Sequence, residues 1–312
     1  MIASIVKLIF QIAITLLIAP FFTGIIRKMK AKVQHRVGAS IFQSYYDLIK
    51  LLKKDLVVSD TASWIYNTAP YIYFITSVIA VSCLPIIRGL TGFSFYTDLL
   101  ILVYVLAAGR IFMTLAGLDT GSTFGGMGSS RELLVSSLAE PALFIVVITV
   151  SAGTGAASTN ITRIYDSISS NTLSAFTPMN ILLFVSMLLI LIAESSRIPV
   201  DDPSTHLELT MVHEAMVLEY SGRQLAFIEM GNYLKQLAIM TFMANILIPV
   251  GFNIENVFLS FLIYLIKVLI IAVIVGIVEI NTVKLRLYSI PNFAVLALII
   301  SILGFLTGFI LK

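Results

Sequence analysis

The chain of 312 residues holds one cysteine, Cys83, three histidines and one tryptophan, and only 12% of its residues are charged. A single thiol makes no intramolecular disulfide and supplies too few ligands for an iron–sulfur cluster or a structural zinc. Any redox metal that serves this protein therefore sits on another chain. A soluble domain carries roughly a quarter charged residues, so this scarcity excludes an ordinary water-facing surface. The net charge of +3 is too small to provide a footprint for nucleic acid.

What the chain has in abundance is apolar sequence. Its composition is 58% hydrophobic and its mean hydropathy is +1.00, which places it among integral membrane proteins. The expectation is an all-α, single polytopic membrane domain over residues 1–312 with about eight spans. These are Ile2–Ile25, Tyr71–Ile87, Thr97–Leu118, Leu133–Ser151, Pro178–Ala193, Leu225–Pro249, Val257–Val278 and Phe293–Leu311. Lys7 and the run Leu8–Phe22 have the cast of a signal peptide. No small-residue cleavage site follows, but Arg27, Lys28, Lys30 and Lys32 do, so a retained first helix is expected.

Lysine and arginine set the orientation. The connections after spans one, three, five and seven hold thirteen of them, including Arg131, Arg197, Arg223, Lys284 and Arg286. Those after spans two, four and six hold two, Arg88 and Arg163. The odd connections are predicted to be cytoplasmic and both termini external. In the first of them, "ASIFQSYYDLIKLLKKD" (Ala39–Asp55) spaces Ile41, Tyr45, Leu48, Leu51 and Leu52 as one helical face, with Lys50, Lys53 and Lys54 largely opposite. This predicts an amphipathic helix in the membrane surface or under a partner.

Charge inside the spans is costly, at least about 2.5–3.5 kcal/mol at mid-bilayer. Arg110, Glu132, Glu140, Glu194, Glu229, Lys235, Lys267 and Glu279 nevertheless lie in or at the ends of spans. They are candidates for an ion or proton route, or for ion pairs that fix helix packing. Glu140 precedes Pro141, which removes a backbone donor and loosens the helix ladder beside a carboxylate. A glutamate buried there moves toward the proton-transfer range.

The densest chemistry lies between spans five and six, an acidic cytoplasmic loop. "AESSRIPVDDPSTHLELTMVHEAMVLEYSG" (Ala193–Gly222) holds two of the three histidines. Arg197, Pro199, Asp201, Asp202 and Pro203 form a turn-rich segment. Thr205 and Glu208 have the spacing of a capping box, and "HLELTMVHEAMVLEY" (His206–Tyr220) has a helical reading. His206 and His213 then share one face, Glu208 and Glu219 another, and Glu214 points elsewhere. No face is uniformly apolar, as for a helix buried in protein beside something polar. His213–Glu214 begins like a zinc-protease helix, but Val217 stands where the second histidine is needed. No metal site is expected; a hydrogen-bonded acid–histidine network that moves or senses protons is.

These stretches carry a resemblance. "AESSRIPVD" (Ala193–Asp201), "EYSG" (Glu219–Gly222) and "QHRVGASIFQSYYDLIKLLKKD" (Gln34–Asp55) resemble the proximal, quinone-site membrane subunit of respiratory complex I over about residues 5–305. "THLELTMVHEAMVLEYSGR" (Thr205–Arg223) and "GSSRELLVSSLAEPALF" (Gly128–Phe144) are similar to its branch in the group four, energy-converting nickel–iron hydrogenases, which include formate hydrogenlyase. The resemblance implies an ion-coupling membrane subunit with no redox cofactor of its own. The nickel–iron centre and iron–sulfur clusters would sit on partners: a nickel–iron large subunit, an iron–sulfur small subunit and a ferredoxin-like subunit, beside antiporter-like membrane subunits and lipid. By position, Glu194, Asp201, Asp202, Glu208, Glu214 and Glu219 join the route linking redox chemistry to H⁺ or Na⁺ movement, and Glu132 and Glu140 match its intramembrane glutamates. Lys267 joins them from its place in an apolar span. Arg197, His206 and His213 form the accompanying network, and Arg36, Tyr46 and Lys50 the docking surface for the soluble arm. Two other readings stay open: a quinone- or polysulfide-reducing relative, and a stand-alone ion transporter.

Overall fold

The computed structural model describes residues 2–58, 62–86, 98–153, 158–161, 163, 164, 167, 177–201, 211–248 and 256–310. Among these the chain is helical, with no named strand. Ten α-helices follow one another there: α1 Ile2–Val33, α2 Gln43–Lys53, α3 Trp64–Cys83, α4 Leu99–Asp119, α5 Thr123–Gly153, α6 Pro178–Glu194, α7 His213–Val217, α8 Gly222–Phe242, α9 Val257–Asn281 and α10 Ile290–Ile310. A π-helical turn, Met243–Leu247, continues α8.

Five segments are long and apolar enough to cross a membrane among the described residues: Val6–Val33, Leu99–Asp119, Thr123–Gly153, Val257–Asn281 and Leu287–Ile310. The helix Pro178–Glu194 is apolar but shorter. The expected second and sixth spans are the helices α3 and α8, which fall outside that set. The second begins at Trp64 rather than Tyr71, and the sixth at Gly222. Arg223, Glu229 and Lys235 lower the hydropathy of α8, whose residues from Gly231 to Phe242 are nearly all buried by neighbours. Helix α5 also starts ten residues before the expected Leu133, because the "GGMGSS" stretch packs as helix instead of turning.

Helix α9 shows how sequence chooses a face. Asn256 caps it, its Oδ1 accepting from the backbone N–H of Phe258 at 3.1 Å. Ser260, Tyr264, Lys267, Val268, Ile271, Val275 and Glu279 recur at helical spacing and are buried. Phe258, Leu262, Ile266, Leu269, Ile270 and Ile277 face outward. In lipid such an apolar exterior is the normal surface, and the polar residues turn to the bundle interior. Helix α3 packs against both α4 and α8, α10 lies against α5 and α6, and α1 lies against α8 and α9. Leu102, Leu106, Val146, Leu183, Leu234, Phe242 and Ile271 belong to one continuous core.

Helix α2 lies across α1 and α8. Tyr45 donates its hydroxyl to the Leu17 carbonyl. A methyl group at Gly24 would overlap the Ile41 carbonyl oxygen, so only glycine permits this approach. The expected inner face is partly covered, while Tyr46, Ile49 and Leu52 are exposed.

Candidate functional site

Arg110 on α4 organises a buried centre. It is 5% exposed and faces three carboxylates from two neighbouring helices. Its Nη1 donates to Glu140 at 2.8 Å, its Nη2 donates to Glu194, and its Nε lies 3.7 Å from Glu132. Glu132 and Glu140 come from α5, eight residues apart and so on nearly the same side, and Glu194 ends α6. Lys235 on α8 lies 3.1 Å from the other oxygen of Glu194. Desolvating ions is costly unless partners and geometry compensate, and here two cations answer three carboxylates. The centre is electroneutral when it also holds one proton.

A polar line leads away from it. The Lys235 ammonium lies over the Tyr73 ring, 5.9 Å from its centroid. The Tyr73 hydroxyl donates to Asn232 Oδ1 at 2.5 Å. Asn232 Nδ2 lies 3.2 Å from His213 Nε2. Since the amide oxygen accepts from the tyrosine, the amide nitrogen donates, and His213 Nε2 must be the unprotonated ring nitrogen. Burial, aided by the nearby Lys235 charge, pushes the His213 pKa down to about 4, so the imidazole is neutral at physiological pH.

Helix α7, which carries His213, has only five residues and is held from outside. Fully buried Asp201 accepts from the N–H of Val212 at 2.9 Å and of His213 at 3.0 Å. It caps the helix from twelve residues away and also pairs with Lys284 at 3.2 Å. Arg131 donates to the Met211 carbonyl at 2.8 Å. A methyl group at Gly128 would stand 2.9 Å from the Val212 oxygen, so α5 meets this turn through glycine. The expected helical reading of His206–Tyr220 therefore narrows to His213–Val217 among the described residues, because Leu218 and Glu219 turn outward.

His213 and Glu214 line a cavity of about 580 Å³ at the end where α1, α6 and α9 finish, beside the middle of α8. Burial, then the negative charges of Glu229 and Asp201, push the Glu214 carboxyl up to about 7. On the opposite wall Glu279 accepts from Lys30 at 2.9 Å and from Arg197 at 3.2 Å. Arg197 also donates to Gln236 Oε1 at 3.1 Å.

The structure thus brings together Glu132, Glu140 and Glu194, and places Asp201, His213, Glu214 and Arg197 along the approach to them. It does not bring Glu219 there: that residue is exposed, and its backbone carbonyl accepts from Tyr66 at 2.7 Å. Lys267 stands apart, donating to Asn245 Oδ1 at 3.2 Å and to the Ile248 carbonyl at 3.1 Å. Asp202, His206 and Glu208 lie outside the described residues. Arg36 lines the cavity, and Tyr46 and Lys50 are exposed on α2. No group of three or more His, Cys, Asp or Glu side chains is placed to hold a metal among the described residues.

Sequence reasoning flagged Arg110 and Lys235 as costly charges without seeing that they share Glu194. It missed Tyr73, Asn232 and Gln236. A signal for two of these existed: Glu229, Asn232, Tyr233 and Gln236 form a polar stripe at helical spacing in α8. Tyr73 carries no such mark.

A family profile described as NADH dehydrogenase matches residues 6–308. Hydrogenase-4 component C of Escherichia coli (strain K12) is 32% identical over 273 residues, 86% of this chain and 84% of that protein. Formate hydrogenlyase subunit 4 of the same strain is 29% identical over 293 residues, 93% of this chain and 94% of that protein. An NADH-quinone oxidoreductase subunit of Bacteroides fragilis is 28% identical over 218 residues, 68% of this chain and 59% of that protein. Among solved structures, a chain of the membrane-bound sulfane sulfur reductase, an archaeal respiratory membrane complex, superposes with a TM-score of 0.85 at 19% identity, covering 98% of this chain and 99% of that one. At that identity the likeness is one of fold.

Proposed function

The chain belongs to the NADH dehydrogenase family, and from that premise we propose that it is the membrane-anchoring, ion-coupling subunit of an energy-converting nickel–iron hydrogenase complex. Its relatives are subunits of oxidoreductase complexes, and two that match along most of their length are hydrogenase and formate hydrogenlyase components. The chemistry of hydrogen would sit on partners: a nickel–iron large subunit, an iron–sulfur small subunit and a ferredoxin-like subunit. Antiporter-like membrane subunits would take the ions onward.

The observation that carries the coupling role is the charge count around Arg110. Three carboxylates against two cations form a centre whose charge changes when one proton arrives or leaves. The His213–Asn232–Tyr73–Lys235 line ties it to the cavity. In this reading the chain spans the membrane eight times, the cavity end faces the cytoplasm, and Glu214 is the first titrating group a proton meets. The route then passes Glu194, Glu132 and Glu140. Asp201, Asp202, Glu208 and Glu219 belong to the loop that answers the redox arm, with His206 in its network. Lys267 belongs to the membrane route. Arg36, Tyr46 and Lys50 on and beside α2 dock the soluble arm.

The test uses Glu140→Gln in the complete complex, a change that keeps size and much hydrogen bonding but cannot titrate. Hydrogen formation from a soluble dye in detergent should persist, while ions moved per hydrogen in sealed vesicles should fall. A normal ion yield at normal turnover would make Glu140 structural only. Orientation is checked by single cysteines at Lys30 and Lys284, which should react with impermeant reagents from the cytoplasmic side, and at Asn160, from outside.

A further inference from the structure

Among the described residues that line the 580 Å³ cavity, one buried side-chain polar atom has no hydrogen-bond partner. Gln236 lines it and is 4% exposed. Its Oε1 accepts from Arg197 at 3.1 Å and from Thr23 at 3.5 Å. A guanidinium only donates, so the oxygen must face Arg197 and the amide nitrogen must face away. That nitrogen has no acceptor among the described residues. A buried donor without an acceptor is costly, and what it lacks is a group that accepts.

The walls say what kind. Arg27, Lys30, Arg36 and Arg197 line the same cavity as Glu214, Glu229 and Glu279. Glu279 already holds both Lys30 and Arg197. Arg27 and Arg36 have no ion-pair partner among the described residues. Four cations line the cavity against three carboxylates, a surplus of one, and the two cations outside the Glu279 pairing are arginines, whose planar forks match multi-oxygen anions. The cavity is far larger than a lone carboxylate needs. It lies where helices α1 and α9 end, the depth at which basic clefts between spans hold phosphate headgroups.

We propose that this cavity binds a phosphate-bearing anion, the chemistry shared by an anionic phospholipid headgroup and by free phosphate. Gln236 Nε2 donates to a phosphate oxygen, and Arg27 balances the charge. The bound anion also ties α1 to α8.

The experiment takes the complete complex, delipidated in detergent, and titrates it calorimetrically with short-chain phosphatidylglycerol and, separately, with inorganic phosphate. Gln236→Glu keeps an oxygen for Arg197 but puts a carboxylate oxygen where the donor was. It should weaken binding tenfold or more. Arg27→Gln, at an exposed position with little bearing on folding, should weaken it severalfold. Saturable binding of the lipid alone assigns the site to a headgroup, and binding of both probes with similar affinity assigns it to free phosphate; either supports the proposal. Binding of neither probe overturns it. So does equal binding by wild type and Gln236→Glu, or, should that variant fail to assemble, by wild type and Arg27→Gln.

Discussion

Arg110 and Lys267 are two cations buried to nearly the same degree, 5% and 7% exposed, and they are solved in opposite ways. Arg110 sits among carboxylates from α5 and α6, with a second cation sharing one of them. Among the described residues Lys267 has only neutral oxygens, an asparagine side chain and the carbonyl just beyond the π turn of α8. Burial alone does not tell these two charges apart; the partners do. A cation among surplus carboxylates sits in a place whose net charge can change by one proton. A cation among dipoles has a fixed neighbourhood, and its own loss leaves no bare ion behind.

That contrast predicts a gradient of damage. Arg110→Met strands Glu132 and Glu140 and leaves Glu194 to Lys235 alone, and removing one partner of a buried ion pair costs about 3–5 kcal/mol. The subunit should drop out of the purified complex or melt far earlier; wild-type yield and melting would erase the distinction. Lys235→Met leaves Arg110 on Glu194, so its cost should be smaller, about 2–3 kcal/mol, read as a lower unfolding midpoint with assembly retained. Lys267→Met swaps a buried charge for an apolar chain of similar volume and leaves two oxygens without a donor, with a net cost of about 1 kcal/mol. Its ion yield per turnover should nonetheless fall if it serves the route. Unchanged yield would reduce Lys267 to a clasp on the π turn.

The smallest effect is a change in pH dependence. The Glu214 carboxyl stands at about 7 against an ordinary 4.5, so the folded chain holds a proton that the unfolded chain releases. The stability this gives is full below about 4.5 and is lost as pH rises through 7. His213 acts in the opposite sense: with its pKa down at about 4, its contribution is present above 6.5 and is lost as pH falls toward 4. Glu214→Gln should flatten the decline between pH 5 and 8 while leaving the acid limb from His213. A carbonyl band of a protonated acid, present at pH 6 and lost in the variant, would identify the group directly.

Much of the fold was legible because lipid imposes simple rules. Apolar runs marked the helices, helical spacing on Ala39–Asp55 marked α2, and costly charges marked most of the residues that the bundle buries. The pairings were not legible. Arg110 and Glu194 lie 84 residues apart, and no local pattern says that one guanidinium serves three glutamates. The turn of α7 was also hidden, because its existence depends on Asp201 and on the space left at Gly128 rather than on its own five residues. Helices α3 and α8 fall short of a span's hydropathy, and their hydroxyls, amides and charges meet one another and Glu194 inside the bundle.

The triple pairing at Arg110 has a consequence for how the chain is made. Its arginine leaves the ribosome on α4, before either glutamate of α5 and long before Glu194 at the end of α6. A lone guanidinium at that depth is poorly tolerated by lipid. Helix α4 therefore carries an unpaired charge until α5 arrives, and the centre closes only when α6 and then α8 have followed. The order of synthesis and the order of charge neutralisation are the same, so the centre around Arg110 is completed in the order in which its helices are made.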